Sequence, residues 1–234
     1  CTTGRITDIS VPVTTAALVQ PDFRAGMSQA DLAYREIRAL IVTLELAPGS
    51  VLSEPELQER LGLGRTPIRE ALRTLAHERL VEVYPRRGMF VAALDPRDLA
   101  SLSEVREEME PFAARLAAER RTDEDLILID ALLADIDAIA AAPDMRALIE
   151  LDQRIHHHVY HCAHNDFLQS MCDQHYMHAL RIWFLALDRV MHLEDAVAEH
   201  RDLLLAIRAG DAERAAEVMS SHVHGFEAEV RRAI

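Results

Sequence analysis

Strand-like alternation of apolar and polar residues is confined to one stretch of this 234-residue chain. The segment "LVEVYPRRGMFVAAL", residues 80–94, alternates on both sides of a Pro-Arg-Arg-Gly turn, which is the pattern of a β-hairpin. The periodic segments on either side of it repeat at the helical interval instead. A chain of this kind folds as a mostly α protein with one small β unit, and that unit closes an N-terminal part.

Ahead of the hairpin the sequence reads as three helices. Ser28 is spaced to cap a helix running to Leu44, with Leu32, Ile37, Leu40, Ile41 and Leu44 on its apolar side. "SEPELQERLGLG" opens with Ser53 and Glu56 in capping-box spacing and breaks at Gly62 and Gly64. "RTPIREALRTLAHERL" follows, with Pro67 tolerated in its first turn. Three helices and two strands make a winged helix-turn-helix over residues 28–94. Residues 1–27 show no sustained periodicity and read as a flexible extension. Residues 95–234 read as six helices, the first capped by Asp95, and so as an all-helical bundle.

The charge divides the chain at the same place. The net charge is −14, yet residues 28–94 carry nine Arg and nine acids, so the whole excess lies in residues 95–234, with fourteen Arg and twenty-eight acids. Within residues 65–87 the balance is locally basic, six Arg against three Glu. Two domains with different electrostatic tasks follow, joined near residues 93–98. No run is long and apolar enough for a membrane span, and three cysteines without a CxxC pair suit a reduced, cytoplasmic setting.

Arg65, Arg69 and Arg73 recur every fourth residue and so share one helical face, opposite Ile68, Leu72 and Leu75. Only Arg73 is expected to have an acid at pairing distance, Glu70 three residues back, and the hairpin tip adds Arg86, Arg87 and Gly88. The face is expected to enter the major groove of DNA, where Arg grips guanine or phosphate. The stretch "LSEPELQERLGLGRTPIREALRTLAHERLVEVYPRRGMFVA" closely resembles the DNA-binding domain of GntR-family transcriptional regulators. That resemblance implies DNA contacts by Arg65, Thr66, Arg69, Arg73 and Arg87, with Gly88 bringing the wing close to the minor groove. It departs at Gly64, where Ser is usual, and at Glu45, where Gly is common.

The most conspicuous composition lies in "LDQRIHHHVYHCAHN", residues 151–165, with five histidines and an aspartate. At roughly 100° per residue, Leu148, Leu151, Ile155, Val159 and Cys162 form its apolar stripe, and Asp152 and His156 flank that stripe about 40° apart. His157, His161 and His164 form a separate row facing solvent. His200 sits at the centre of a stripe of Leu193, Val197, Leu203, Leu204 and Ile207, and His222 at the centre of one of Ala215, Val218, Met219 and Phe226. A lone inward His is ordinarily a hydrogen-bonded core residue. Two of them beside an inward Asp-x-x-x-His pair suggest a shared centre. Three imidazoles and a carboxylate suit Zn²⁺, Ni²⁺ or Mn²⁺ with coordination positions left open. His175, His178, His192 and His224 read as ordinary surface or core residues.

"LDQRIHHHV", the His164-Asn165 pair, "EHRDLLLAIRAGDAERA" and the terminal "SHV" resemble the FCD effector-binding domain of the FadR-type branch of the GntR family. By that resemblance Asp152, His156, His200 and His222 are the metal ligands. Ile155 and His164 depart from the usual Phe and Gly. The resemblance also implies a small organic-acid effector, near-palindromic operator DNA and a homodimer. Arg106, on an inward stripe with Leu99, Leu102, Met109 and Ala113, either forks onto the effector carboxylate or pairs with Glu110 one turn on. Asn165 and Trp183 are candidates for the pocket wall. The alternative function is a metal-dependent hydrolase on the same four ligands. It has no HExxH segment and leaves the Arg face unexplained.

Overall fold

The computed structural model describes residues 27–95, 97–141, 145–186 and 193–233. The N-terminal unit consists of α1 (Gln29–Val42), β1 (Val51–Leu52), α2 (Glu54–Leu61), α3 (Arg65–His77), β2 (Val81–Tyr84) and β3 (Gly88–Val91). Ser28 caps α1 by accepting from the Asp31 amide, and Ser53 caps α2 through the Glu56 amide. Gly62 ends α2 in the left-handed conformation. Helix α1 stops at Val42, before Leu44, whose φ of 62° cannot continue a helix. The sheet has three strands where the sequence suggested two. The dipeptide β1 pairs antiparallel with β3, in the order β1-β3-β2. Two residues are too short to register as alternation, which is why the strand is invisible in the pattern. Ile37, Ile41, Ile68, Leu72, Leu75 and Val91 are fully buried and close this small core.

Six helices follow: α4 (Asp98–Arg120), α5 (Asp123–Ala141), α6 (Met145–Cys162), α7 (Asp166–Ala186), α8 (Leu193–Ala209) and α9 (Ala212–Ala233). Asp95 closes the turn ahead of α4 rather than capping it, accepting from the Arg97 amide while the helix proper begins at Asp98. Helix α4 is the axis of the bundle, packed along α9 and touching α6, α7 and α8. The α8–α9 corner turns at Gly210, with φ 78°. A Cβ there would lie 2.4 Å from the Arg121 guanidinium, which donates to the Arg208 carbonyl, so the corner requires glycine. This hairpin sets His200 and His222 against one another, ring centroids 4.4 Å apart.

The two cores meet. Val42 at the end of α1 and Leu94 beyond β3 pack into the helical core. Helix α7 also reaches the N-terminal unit directly. His178 Nε2 lies 2.8 Å from the Glu78 carbonyl, and Arg181 donates to the Ala92 carbonyl at 2.5 Å. His178 thus bridges the two units, a place its spacing in the sequence did not suggest.

Candidate metal centre and nucleic-acid face

Helix α6 presents Asp152 and His156 on one face, α8 presents His200 and α9 presents His222. His156 Nε2 is 3.2 Å from His222 Nε2 and 3.3 Å from His200 Nε2. Asp152 Oδ1 is 3.3 Å from His200 Nε2 and 3.8 Å from His156 Nε2. Four donors about 2.0–2.1 Å from a tetrahedral zinc would stand about 3.3 Å from one another. The residues therefore fit a divalent metal, and the ligand atoms of all four lie within 4.8 Å of each other.

The surroundings turn these donors inward. His222 Nδ1 is 2.9 Å from Glu199 Oε2, and His156 Nδ1 is 2.9 Å from the Tyr160 hydroxyl. In the tautomers that donate along these contacts, both Nε2 lone pairs point to the centre, as metal-bound histidines require. Tyr176 stacks on His156 at 4.7 Å and donates to Asp152 Oδ2, leaving Oδ1 for the centre. Burial, then the neighbouring His222 and His156, hold the His200 imidazole well below its usual pKa, so it stays neutral and able to ligate.

Arg106 is buried and bonded to Glu110, which is itself fully buried. Burial opposes the guanidinium charge, but the Glu110 carboxylate outweighs it and keeps Arg106 charged. Arg106 Nε donates to Glu110 Oε1, and the guanidinium lies over the Phe226 ring at 5.2 Å. Glu110 Oε2 stands 3.5 Å from His156 Nδ1 without a made hydrogen bond. Asn165 caps α7, its Oδ1 accepting from the Leu168 amide, so its side chain has a structural task. Trp183 is buried in the helical core, seven residues beyond Tyr176 and so on the same side of α7.

His157 and His161 are exposed, as the row at their phase implies. His164 is exposed as well, and it also makes a specific contact. Its φ is 44° and its Nε2 lies 2.8 Å from the buried Asp125, so it is tied to the start of α5. Sequence reasoning also missed Tyr160, Tyr176, Glu199 and the buried His158. Tyr160 stands at i+4 from His156 and could have been found by spacing. Tyr176 and Glu199 come from other helices and carried no signal.

On the N-terminal unit, Ile68, Ala71, Leu72 and Leu75 anchor α3, while Arg65, Thr66, Arg69 and Arg73 are exposed on its other side. The expectation that only Arg73 has an acid partner fails. Glu54 at the start of α2 lies 3.3 Å from Arg65 and 3.4 Å from Arg69, a contact between helices that spacing within one helix cannot reveal. Gly64 gives α3 no side-chain cap, and its first turn carries no acid, so the helix dipole favours an anion there. Arg87 in the wing lies over Tyr84 and Phe90 at 5.7 and 6.0 Å. Gly88 has φ 103° with open space around it, so glycine is needed for the backbone turn and not for room.

Comparison with known proteins agrees with this arrangement. Residues 29–91 match the family model "Bacterial regulatory proteins, gntR family", and residues 101–225 match the FCD domain. The chain belongs to the gntR family. This gntR regulator is 35% identical over 199 residues to the galactonate operon transcriptional repressor of Escherichia coli K12, covering 75% of this chain and 85% of that protein. It is 33% identical over 206 residues to the repressor GlaR of the same organism, covering 81% and 90%. Among solved structures, Escherichia coli McbR/YncC shares the fold with a TM-score of 0.78 at 24% identity, over 88% of this chain and 98% of that one. The gntR protein is thus a transcriptional regulator with a DNA-binding gntR domain and an FCD domain. The hydrolase alternative draws no support from these relatives. Among the described residues no helix is long and apolar enough to cross a membrane.

Proposed function

We propose that this regulator acts in the cytoplasm as a homodimer on near-palindromic operator DNA, and that a small organic acid sets its operator affinity. In this reading Arg65, Thr66, Arg69 and Arg73 of α3, with Arg87 and Gly88 of the wing, contact DNA. Asp152, His156, His200 and His222 hold a divalent metal, zinc by donor set, with nickel or manganese as alternatives the same atoms accept. When bound, such a metal supplies a Lewis-acidic position for the effector carboxylate. The observation that carries the reading is the convergence of three Nε2 atoms and one carboxylate oxygen around a single point, with His222, His156 and Asp152 turned there by Glu199, Tyr160 and Tyr176.

The sugar acid in the name of the 35% identical relative supports the class of effector, since a hydroxy acid offers a carboxylate and hydroxyls to a metal that expands its coordination beyond these four donors. By the same reading Arg106, Asn165 and Trp183 meet the effector beside this site, Arg106 through guanidinium nitrogens other than the Nε that bonds Glu110. Metal analysis and operator titration test the proposal together. His200→Ala or His222→Ala is expected to lose the metal and lower the Tm, while His157→Ala keeps both. Arg69→Ala is expected to cost about 1–3 kcal/mol of operator binding, and wild-type binding should fall steeply with salt. Metal retained in both inner variants, or wild-type affinity in Arg65→Ala, Arg69→Ala and Arg73→Ala alike, would overturn it.

A further inference from the structure

A second cluster of ligating groups lies on the other side of α6. His158 and Cys162 stand one helical turn apart, about 200° around the helix from His156 for His158, so they face away from the centre already described. Both are buried, and Cys162 Sγ is 3.4 Å from His158 Nε2. They meet the N-terminal turn of α5, where the buried Asp125 forms a reciprocal cap with Thr122. Asp125 Oδ2 accepts from the Thr122 amide at 2.8 Å and from its hydroxyl at 2.9 Å, while the Asp125 amide donates to Thr122 Oγ1 at 3.2 Å. One carboxylate oxygen of Asp125, Nε2 of His158 and Sγ of Cys162 lie within 4.8 Å of one another.

We propose that Asp125, His158 and Cys162 form a second cation site, thiolate-containing and of zinc class, independent of the Asp152/His156/His200/His222 centre. The separation of its sulfur and nitrogen argues for it. Zinc–sulfur and zinc–nitrogen bonds of about 2.3 and 2.0–2.1 Å at a tetrahedral angle put S and N about 3.5 Å apart, close to the separation seen here. A sulfur donor in a buried, small-volume site selects zinc-class or softer cations over magnesium or calcium. The carboxylate is held in place from outside the site, by Thr122 and by His164 Nε2 at 2.8 Å, as ligating carboxylates are. His164, with φ 44°, makes that contact from a position where its own side chain is 37% exposed.

Binding is balanced by simple exchange. The Cys162 thiol, held protonated by burial and by the adjacent Asp125, gives its proton to solvent as the metal–sulfur bond forms. His158 moves its ring proton to Nδ1 and releases the Asp125 carbonyl, which it now faces at 3.1 Å. The bound ion would tie the first turn of α5 to the last turn of α6.

Cobalt(II) tests this on the full-length chain, stripped with chelator and reloaded under reducing conditions. Thiolate-bound cobalt gives an intense sulfur-to-metal charge-transfer band in the near ultraviolet, which a centre of three histidines and an aspartate cannot produce. Wild type is expected to show the band and to take up a second equivalent of cobalt per chain. His200→Ala is expected to keep the band while losing the other equivalent, and Cys162→Ser and His158→Gln to lose the band. Absence of the band in wild type overturns the proposal without any variant. A band that persists in Cys162→Ser assigns it to another thiol and overturns it equally.

Discussion

Glu110 shows how a single side chain decides what its neighbours can do. Its carboxylate is buried, yet Arg106 and His156 hold its pKa well below the usual carboxylate range against the opposing effect of burial. A folded pKa below the unfolded value near 4.3 means that Glu110 contributes stability above that pH, and that this contribution is lost as pH falls. Removing Arg106 takes away the largest effect opposing burial and leaves only His156 against it, so burial is expected to prevail and the sign to reverse. Metal-free Arg106→Met is expected to be about 3–5 kcal/mol less stable than wild type at neutral pH, because a buried charge has lost its partner. It should then gain stability on mild acidification, where wild type gains none. The further change Glu110→Gln should recover much of the loss. Urea titrations at two pH values check both signs, and an Arg106→Met variant as stable as wild type would show that Glu110 does not depend on the pair.

At the scale of elements, what could be read from the chain was whatever lies within one helix. The phase of His200 and His222 on their stripes was legible because a buried polar residue at the centre of an apolar face stands out in one dimension. The caps at Ser28 and Ser53 were legible for the same local reason. Contacts made across helices left no such trace: Tyr176 on Asp152, Glu199 on His222, His158 against Asp125, and Glu54 on two arginines of α3. The last of these has a measurable effect. In the proposed DNA complex, Glu54 competes with phosphate for Arg65 and Arg69. Glu54→Gln removes that competition and is expected to tighten binding to operator and to scrambled duplex by a similar factor, with the ratio of the two unchanged. Fluorescence titrations on both duplexes measure it. Tighter binding to the operator alone would mean that Glu54 shapes base reading rather than competing with the backbone.

For the whole molecule, α7 is the element that touches both the proposed metal centre and the winged unit. Tyr176 bonds Asp152 at that proposed centre, and within two further turns His178 and Arg181 hold the Glu78 and Ala92 carbonyls of the winged unit. Burial lowers the His178 pKa, the Glu78 carbonyl bond raises it, and Arg181, His175 and Arg79 lower it further. Docked His178 is therefore neutral, and docking is favoured above its undocked pKa near 6.5 and weakened as pH falls below it. Hydrogen exchange around residues 78–92, corrected for intrinsic rates, is expected to rise as the solution is acidified from about pH 7.5 to about pH 5.5. His178→Gln keeps an N–H donor without a titrating group and should flatten that rise. An equal rise in the variant would place the pH sensitivity elsewhere. The Glu54 contact bears on a different problem, that of finding one site in a genome. On the proposed reading, a carboxylate that competes on every sequence would weaken each encounter equally and leave discrimination intact. Helped by the acidic bulk of residues 95–234, it would shorten the time lost on irrelevant DNA.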